Sequence, residues 1–193
     1  MKKQRIYIFL YDGFSDWEIA YLTPEINKND DYELVYFSKS GDPILSMGGL
    51  KVMPDVGLTE VEATDMDMLI LPGGTAWEVS ENSEIKALVM GQFMSGRSIA
   101  AICAATTYLA QLGLLDRVNH TSNDLNYLKR IAPKYQGEGN YMSSLAVSDD
   151  NVITANGIAP IEFAKEIFLK INLYDVDHSE KWLQLFKNGI WAS

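Results

Sequence analysis

Apolar positions along this chain follow two rhythms. Arg5 to Tyr11 is apolar enough to read as a strand buried on both faces, Glu33 to Ser38 as a second strand, Met68 to Leu71 as the next buried strand and Ile99 to Ile102 as a short one. Between them the spacing turns helical. A turn at Asp12-Gly13 leads to a helix over about Asp16 to Asn27. Ile85, Leu88, Val89 and Phe93 predict a helix from Glu84 to Ser95, with Gly96 where a left-handed cap belongs. A further helix runs from Ala104 to near Gly113. Gly41-Asp42-Pro43 and Gly48-Gly49 punctuate a small hairpin, and Tyr141 to Val147 with Val152 to Thr154 predicts a late one around Asp149-Asp150-Asn151. Pro160 sits at a first helical position, ahead of Ile161, Ala164, Ile167, Phe168 and Ile171 on one face. Val176 to Phe186 predicts a terminal helix, with Trp182 and Phe186 adjacent at four-residue spacing.

Strands alternating with helices across short Gly-rich turns predict an α/β fold, a flavodoxin-like three-layer sandwich around a mostly parallel sheet. The length of 193 residues and 47% apolar content suit one domain over 1–193, with 174–193 as a C-terminal helical extension. No linker, repeat or low-complexity tract interrupts it.

Charge narrows the partners. Sixteen Lys and Arg against 26 Asp and Glu leave a net charge of −10, a field that repels nucleic acid and anionic lipid. One cysteine cannot close an internal disulfide, which points to a reducing, cytoplasmic compartment. Met1-Lys2-Lys3-Gln4-Arg5 has the charge of a leader, but the apolar run behind it ends at Asp12 with no small-residue cleavage site, so it reads as the first strand. Ser98 to Leu115 carries no formal charge, yet Ser98, Thr106, Thr107, Gln111 and Gly113 argue against a membrane span.

Open parallel sheets gather their chemistry at the carboxyl ends of strands. Three segments lie there: Asp12 to Glu18, Pro72-Gly73-Gly74, and Ala101-Ile102-Cys103-Ala104-Ala105. The last is similar to a nucleophile elbow, with alanines where flanking glycines are usual. At a helix mouth, Cys103 would meet free N–H groups and the positive end of the helix dipole, both of which favour thiolate; the alternative is a cysteine that fills core space. The N–H groups around Gly73 and Gly74, with that of Ala104, can form a hole for developing negative charge, or the glycines can simply end a strand. Ser15-Asp16-Trp17-Glu18 fits a capping box. Glu18 can instead reach the sulfur, where it would have to be protonated and would move protons. With only His120 and His178, a His-rich metal site is not expected; Trp17, Trp77 and Asn123 are candidates for lining the pocket.

Tyr11-Asp12-Gly13-Phe14-Ser15-Asp16-Trp17-Glu18, Leu71-Pro72-Gly73-Gly74, Ala100-Ala101-Ile102-Cys103-Ala104 and Ile153-Thr154-Ala155-Asn156-Gly157 together resemble the ThiJ/PfpI family, in family order from about Ile6 to Leu173. The resemblance implies a class I glutamine amidotransferase-like fold, Cys103 as the elbow cysteine, Glu18 as its acidic partner, and Gly74 and Ala104 as oxyanion donors. It also implies His120 as a histidine near the cysteine, and a homodimer. Two departures matter. Ala104 stands where protease-like members carry a histidine, and in Ala159-Pro160-Ile161-Glu162 the residue Pro160 occupies the place of the glutaminase histidine. Both hydrolytic triads are therefore incomplete.

The leading expectation is a cysteine-dependent enzyme, without cofactor, that acts on a small electrophile such as a reactive aldehyde in the glyoxalase or deglycase manner. The alternatives are an oxidative-stress sensor that uses oxidation of Cys103, and a family member that keeps the fold for interaction alone. With no second cysteine, an internal disulfide switch is impossible.

Overall fold

Strands that are apolar at consecutive positions stay dry only if helices cover both faces of their sheet. The computed structural model, which describes residues 3–79 and 81–191, has this arrangement. In chain order the elements are β1 (Gln4–Phe9), α1 (Leu22–Asn27), β2 (Tyr32–Ser38), β3 (Ile44–Leu45), β4 (Lys51–Val52), β5 (Val56–Gly57), β6 (Met68–Leu71), α2 (Lys86–Met94), β7 (Ser98–Ile102), α3 (Ala105–Gln111), α4 (Leu125–Ile131), β8 (Ala146–Asp149), β9 (Val152–Ala155), α5 (Pro160–Lys170) and α6 (Val176–Asn188). Seven strands form one sheet in the order β5-β2-β1-β6-β7-β9-β8, parallel throughout except where β8 meets β9. Every residue of β6 is fully buried, as are Ile6, Ile8 and Phe9 of β1. The fold is the expected α/β three-layer sandwich. Met1 and Lys2 of the leader-like segment, and residues 192–193 of the terminal extension, lie outside the described residues.

Several expected elements take a different form. The helix over Asp16 to Asn27 is split into a 3-10 turn at Asp16–Glu18 and α1 from Leu22. Pro24 explains the break: inside a continuous helix it has no N–H to give Ala20 and its ring collides with that carbonyl, whereas in a first turn it fits. The late hairpin pairs Ala146–Asp149 with Val152–Ala155, and Asp150 makes its turn at φ 47°. Tyr141 does not belong to it but forms an isolated parallel bridge with His120. The stretch Ser98 to Leu115 divides into β7 and α3, and among the described residues no helix is long and apolar enough to cross a membrane.

Two elements escape the hydrophobic pattern. The two-residue β5 extends the sheet beside β2. The short α4 is started by Asp124, whose carboxylate accepts the N–H groups of Asn126 and Tyr127 at 2.8 and 3.0 Å. At the C-terminus, α6 docks on α5 through Trp182, whose ring stands edge-on to Phe168 at 4.9 Å and beside Phe186 at 4.8 Å.

Candidate active site

The carboxyl ends of β1, β6 and β7 are adjacent in the sheet, so the segments that follow them converge. Cys103 connects β7 to α3 in the left-handed region, at φ 59°, a conformation that costs a residue with a Cβ about 1–2 kcal/mol. The surroundings hold it there. Its N–H donates to Ala155 O at 2.9 Å, and its carbonyl accepts the Thr106 hydroxyl at 2.6 Å and the Thr106 N–H at 3.2 Å. The side chain is half-buried, and its sulfur accepts a hydrogen bond from Asn123 Nδ2 at 3.3 Å.

Glu18 does not close a capping box. Its side chain is fully buried, and Oε2 accepts the Gly73 N–H at 2.5 Å, while the Ser15 N–H that a box would use donates to Gly73 O at 2.9 Å. Oε1 has no partner among the described residues. The carboxyl and the cysteine share one face of Gly73: a Cβ built there would lie 2.7 Å from Cys103 Cβ and 2.8 and 3.0 Å from the two Glu18 oxygens. Gly73→Ala is therefore expected to push these groups apart, at a cost of about 1–3 kcal/mol in a denaturant melt. A variant as stable as the parent would contradict that contact.

Burial, opposed by the Gly73 hydrogen bond, raises the Glu18 pKa to about 7. Burial and the Glu18 charge also push the Cys103 thiol up to about 11, outweighing the Asn123 and Ala104 donors that favour the anion. The expectation from sequence is that N–H groups and the dipole at the helix mouth favour thiolate; in the structure burial is the largest influence on the sulfur and acts the other way. The two groups titrate as a pair. Between about pH 7 and pH 11 the pair holds one proton, which the sulfur keeps, and the negative charge rests on the Glu18 carboxylate. Tyr11 and Tyr127, which also sense Cys103, have pKa values raised by burial and stay neutral.

Pro72-Gly73-Gly74 is braced from below. The Pro72 carbonyl accepts the Trp77 indole N–H at 2.8 Å and the Tyr11 hydroxyl at 3.2 Å. Trp77 is fully buried and packs against Phe9, Tyr11 and Tyr108, so it supports the turn and does not line a pocket. Gly74 has φ 146°, and a Cβ on it would meet Tyr11 Oη at 2.6 Å. With the Gly73 N–H committed to Glu18, the Gly74 and Ala104 N–H groups are the ones left without a carbonyl acceptor among the described residues.

The remaining candidates scatter. His120 is buried with Nδ1 2.7 Å from Val118 O and Nε2 2.5 Å from Tyr135 Oη, so both ring nitrogens are engaged away from the sulfur. His178 stacks on Tyr174, with ring centroids 3.9 Å apart, on the far C-terminal helix. Trp17 is half-exposed beside Glu18 in sequence. Glu162 pairs with Lys187 on α6. Asn123 alone of the suggested pocket residues touches the sulfur, and with Thr121, Ser122, Tyr141, Ser144 and Asn156 it lines a groove of about 500 Å³. Among the described residues no three His, Cys, Asp or Glu side chains converge as a metal site.

Known proteins share the family and the fold. The DJ-1/PfpI family model matches residues 4–170, which leaves α6 outside it. The chain is 38% identical over 194 residues to the uncharacterized protease YoaZ of Bacillus subtilis, covering 97% of this chain and 92% of that one. It is 30% identical over 151 residues to the glutathione-independent glyoxalase DJR-1.2 of Caenorhabditis elegans, covering 76% and 77%. The crystal structure of the DJ-1 superfamily protein Atu0886 from Agrobacterium tumefaciens superposes with a TM-score of 0.88 at 38% identity, over 96% of this chain and 98% of that one. Fold, converging strand ends and family match together place the chain in the DJ-1/PfpI family.

Proposed function

We propose that the chain is a cysteine-dependent enzyme that converts small reactive aldehydes, 2-oxoaldehydes foremost, in the manner of a glyoxalase. The observation that carries this reading is a fully buried carboxyl, Glu18, packed with Cys103 against Gly73 and titrating near neutrality. A group with that pKa both takes and returns protons at cellular pH. It is the natural partner of an otherwise sluggish thiol.

The steps balance without an electron donor or acceptor. Cys103 Sγ adds to the aldehyde carbon, its proton passing by way of Glu18 to the carbonyl oxygen, and a hemithioacetal forms. The Gly74 and Ala104 N–H groups stabilise the oxyanion on the way. Glu18 then removes the carbon-bound proton and returns it to the neighbouring carbon, while the hydroxyl proton of the hemithioacetal passes to the ketone oxygen, which leaves the thioester of a 2-hydroxy acid. Water cleaves that thioester and frees the thiol. Methylglyoxal and water become lactate.

Two relatives, a glutathione-independent glyoxalase at 30% identity and a deglycase at 31%, support the reading. The protease name of another relative draws no support from this site, because neither histidine hydrogen-bonds the sulfur and Ala104 follows it. The test is lactate formation from methylglyoxal by the purified chain. Formation above the buffer rate is the expected result; its absence contradicts the reading.

A further inference from the structure

We propose that Asn123 is the hydrogen-bond donor that orients the Cys103 sulfur and favours its anionic, attacking form. The amide orientation carries the proposal. Asn123 Oδ1 accepts the Gly157 N–H at 2.8 Å, so the NH2 end faces the sulfur, with Nδ2 3.3 Å from Sγ. The reverse orientation would set NH2 against N–H and oxygen against sulfur.

The loop that carries Asn123 is fixed on two sides. Asn156 Nδ2 donates to the carbonyls of Asn123 at 3.0 Å and Ser122 at 3.3 Å, and the Ser122 and Thr106 hydroxyls lie 2.6 Å apart. Thr106 in turn holds the Cys103 carbonyl. The clamp also explains Gly157: a Cβ there would stand 2.7 Å from Sγ and 3.2 Å from Asn123 Oδ1. Ala155-Asn156-Gly157 is thus a docking surface for the amide as much as the end of a strand.

A neutral amide differs from an imidazole in two ways. It donates at every pH, and it has no proton to give up. Glu18 is then the one group at the sulfur that moves protons near neutrality, with the Tyr11 and Tyr127 hydroxyls held neutral beside it. Such a site suits additions and isomerisations, which need one proton carrier, better than amide cleavage, in which a second must protonate the leaving amine.

This inference rests on the reading of Cys103 as nucleophile, and its test reads the sulfur directly, so failure of methylglyoxal as a substrate does not touch it. Asn123→Asp keeps an acceptor for the Gly157 N–H but puts a carboxylate against the sulfur; Asn123→Ala removes donor and acceptor together. Alkylation of Cys103 by iodoacetamide at pH 7 is expected to slow by about tenfold or more in both, with the pH dependence displaced upward. Asn123→Asp reacting as fast as the parent would overturn the proposal. So would a slow Asn123→Ala beside an unchanged Asn123→Asp, because the residue would then serve the clamp alone.

Discussion

Cys103→Ala is expected to bring methylglyoxal turnover down to the rate in buffer, measured as lactate formed. The sequence has one cysteine, and it packs with the Glu18 carboxyl against Gly73, ahead of the Ala104 N–H. Without a carbon–sulfur bond there is no hemithioacetal on which Glu18 can act. A fold-based explanation of the loss is separable. Because Cys103 holds φ 59°, Cys103→Gly relieves a backbone conformation that costs about 1–2 kcal/mol, so that variant should be inactive yet at least as stable as the parent in a denaturant melt. Residual turnover in either variant would move the chemistry to a different group.

Glu18→Gln is expected to lower kcat by about a thousandfold, the middle of the usual range for a lost acid–base group. It should also change stability with a definite sign. In the folded chain Glu18 titrates near 7, above its ordinary value of 4.5, so between those values the native state holds a proton that the unfolded chain has released. Stability contributed by this group is therefore fully present below about 4.5 and is lost as pH rises through 7. The loss amounts to about 3 kcal/mol. Glutamine imitates the protonated carboxyl and does not ionise, so the gap between variant and parent should open over that window. Urea midpoints at pH 4.5 and pH 8 measure it, and a constant gap would mean that Glu18 is not held against ionisation.

Much of this fold was legible in the sequence because its central strands are buried on both faces, and unbroken runs such as Met68 to Leu71 leave few other readings. The position of Cys103 was legible for a related reason, since small residues on both sides of a polarisable nucleophile mark a tight strand-to-helix connection. Glu18 was ambiguous, because Ser15 and Glu18 have capping-box spacing; the structure decides it by sending the Ser15 N–H to the Gly73 carbonyl and the Gly73 N–H to the carboxylate. Asn123 was legible only as a candidate for the pocket. Its contact with sulfur depends on a loop held from β9 through Asn156 and Gly157, and no local periodicity encodes a partnership across 20 residues on one side and 34 on the other. The His120 expectation drew on likeness to relatives, whereas in this chain the ring turns to Tyr135 and an amide meets the sulfur. Asp124 did carry a readable signal, a cap residue ahead of Leu125, Leu128 and Ile131 at helical spacing.

That Glu18 and Cys103 titrate as a coupled pair is tested most directly by the rate at which iodoacetamide alkylates Cys103 between pH 5 and pH 10, in the parent and in Glu18→Gln. The parent's rise in rate should lie above the ordinary thiol range, because burial and the Glu18 carboxylate oppose a charge on sulfur, and it should move to lower pH in the variant, which lacks that carboxylate. An inert thiol, or a rise at the same pH in both proteins, would contradict the coupling of the two groups and the reaction built on it.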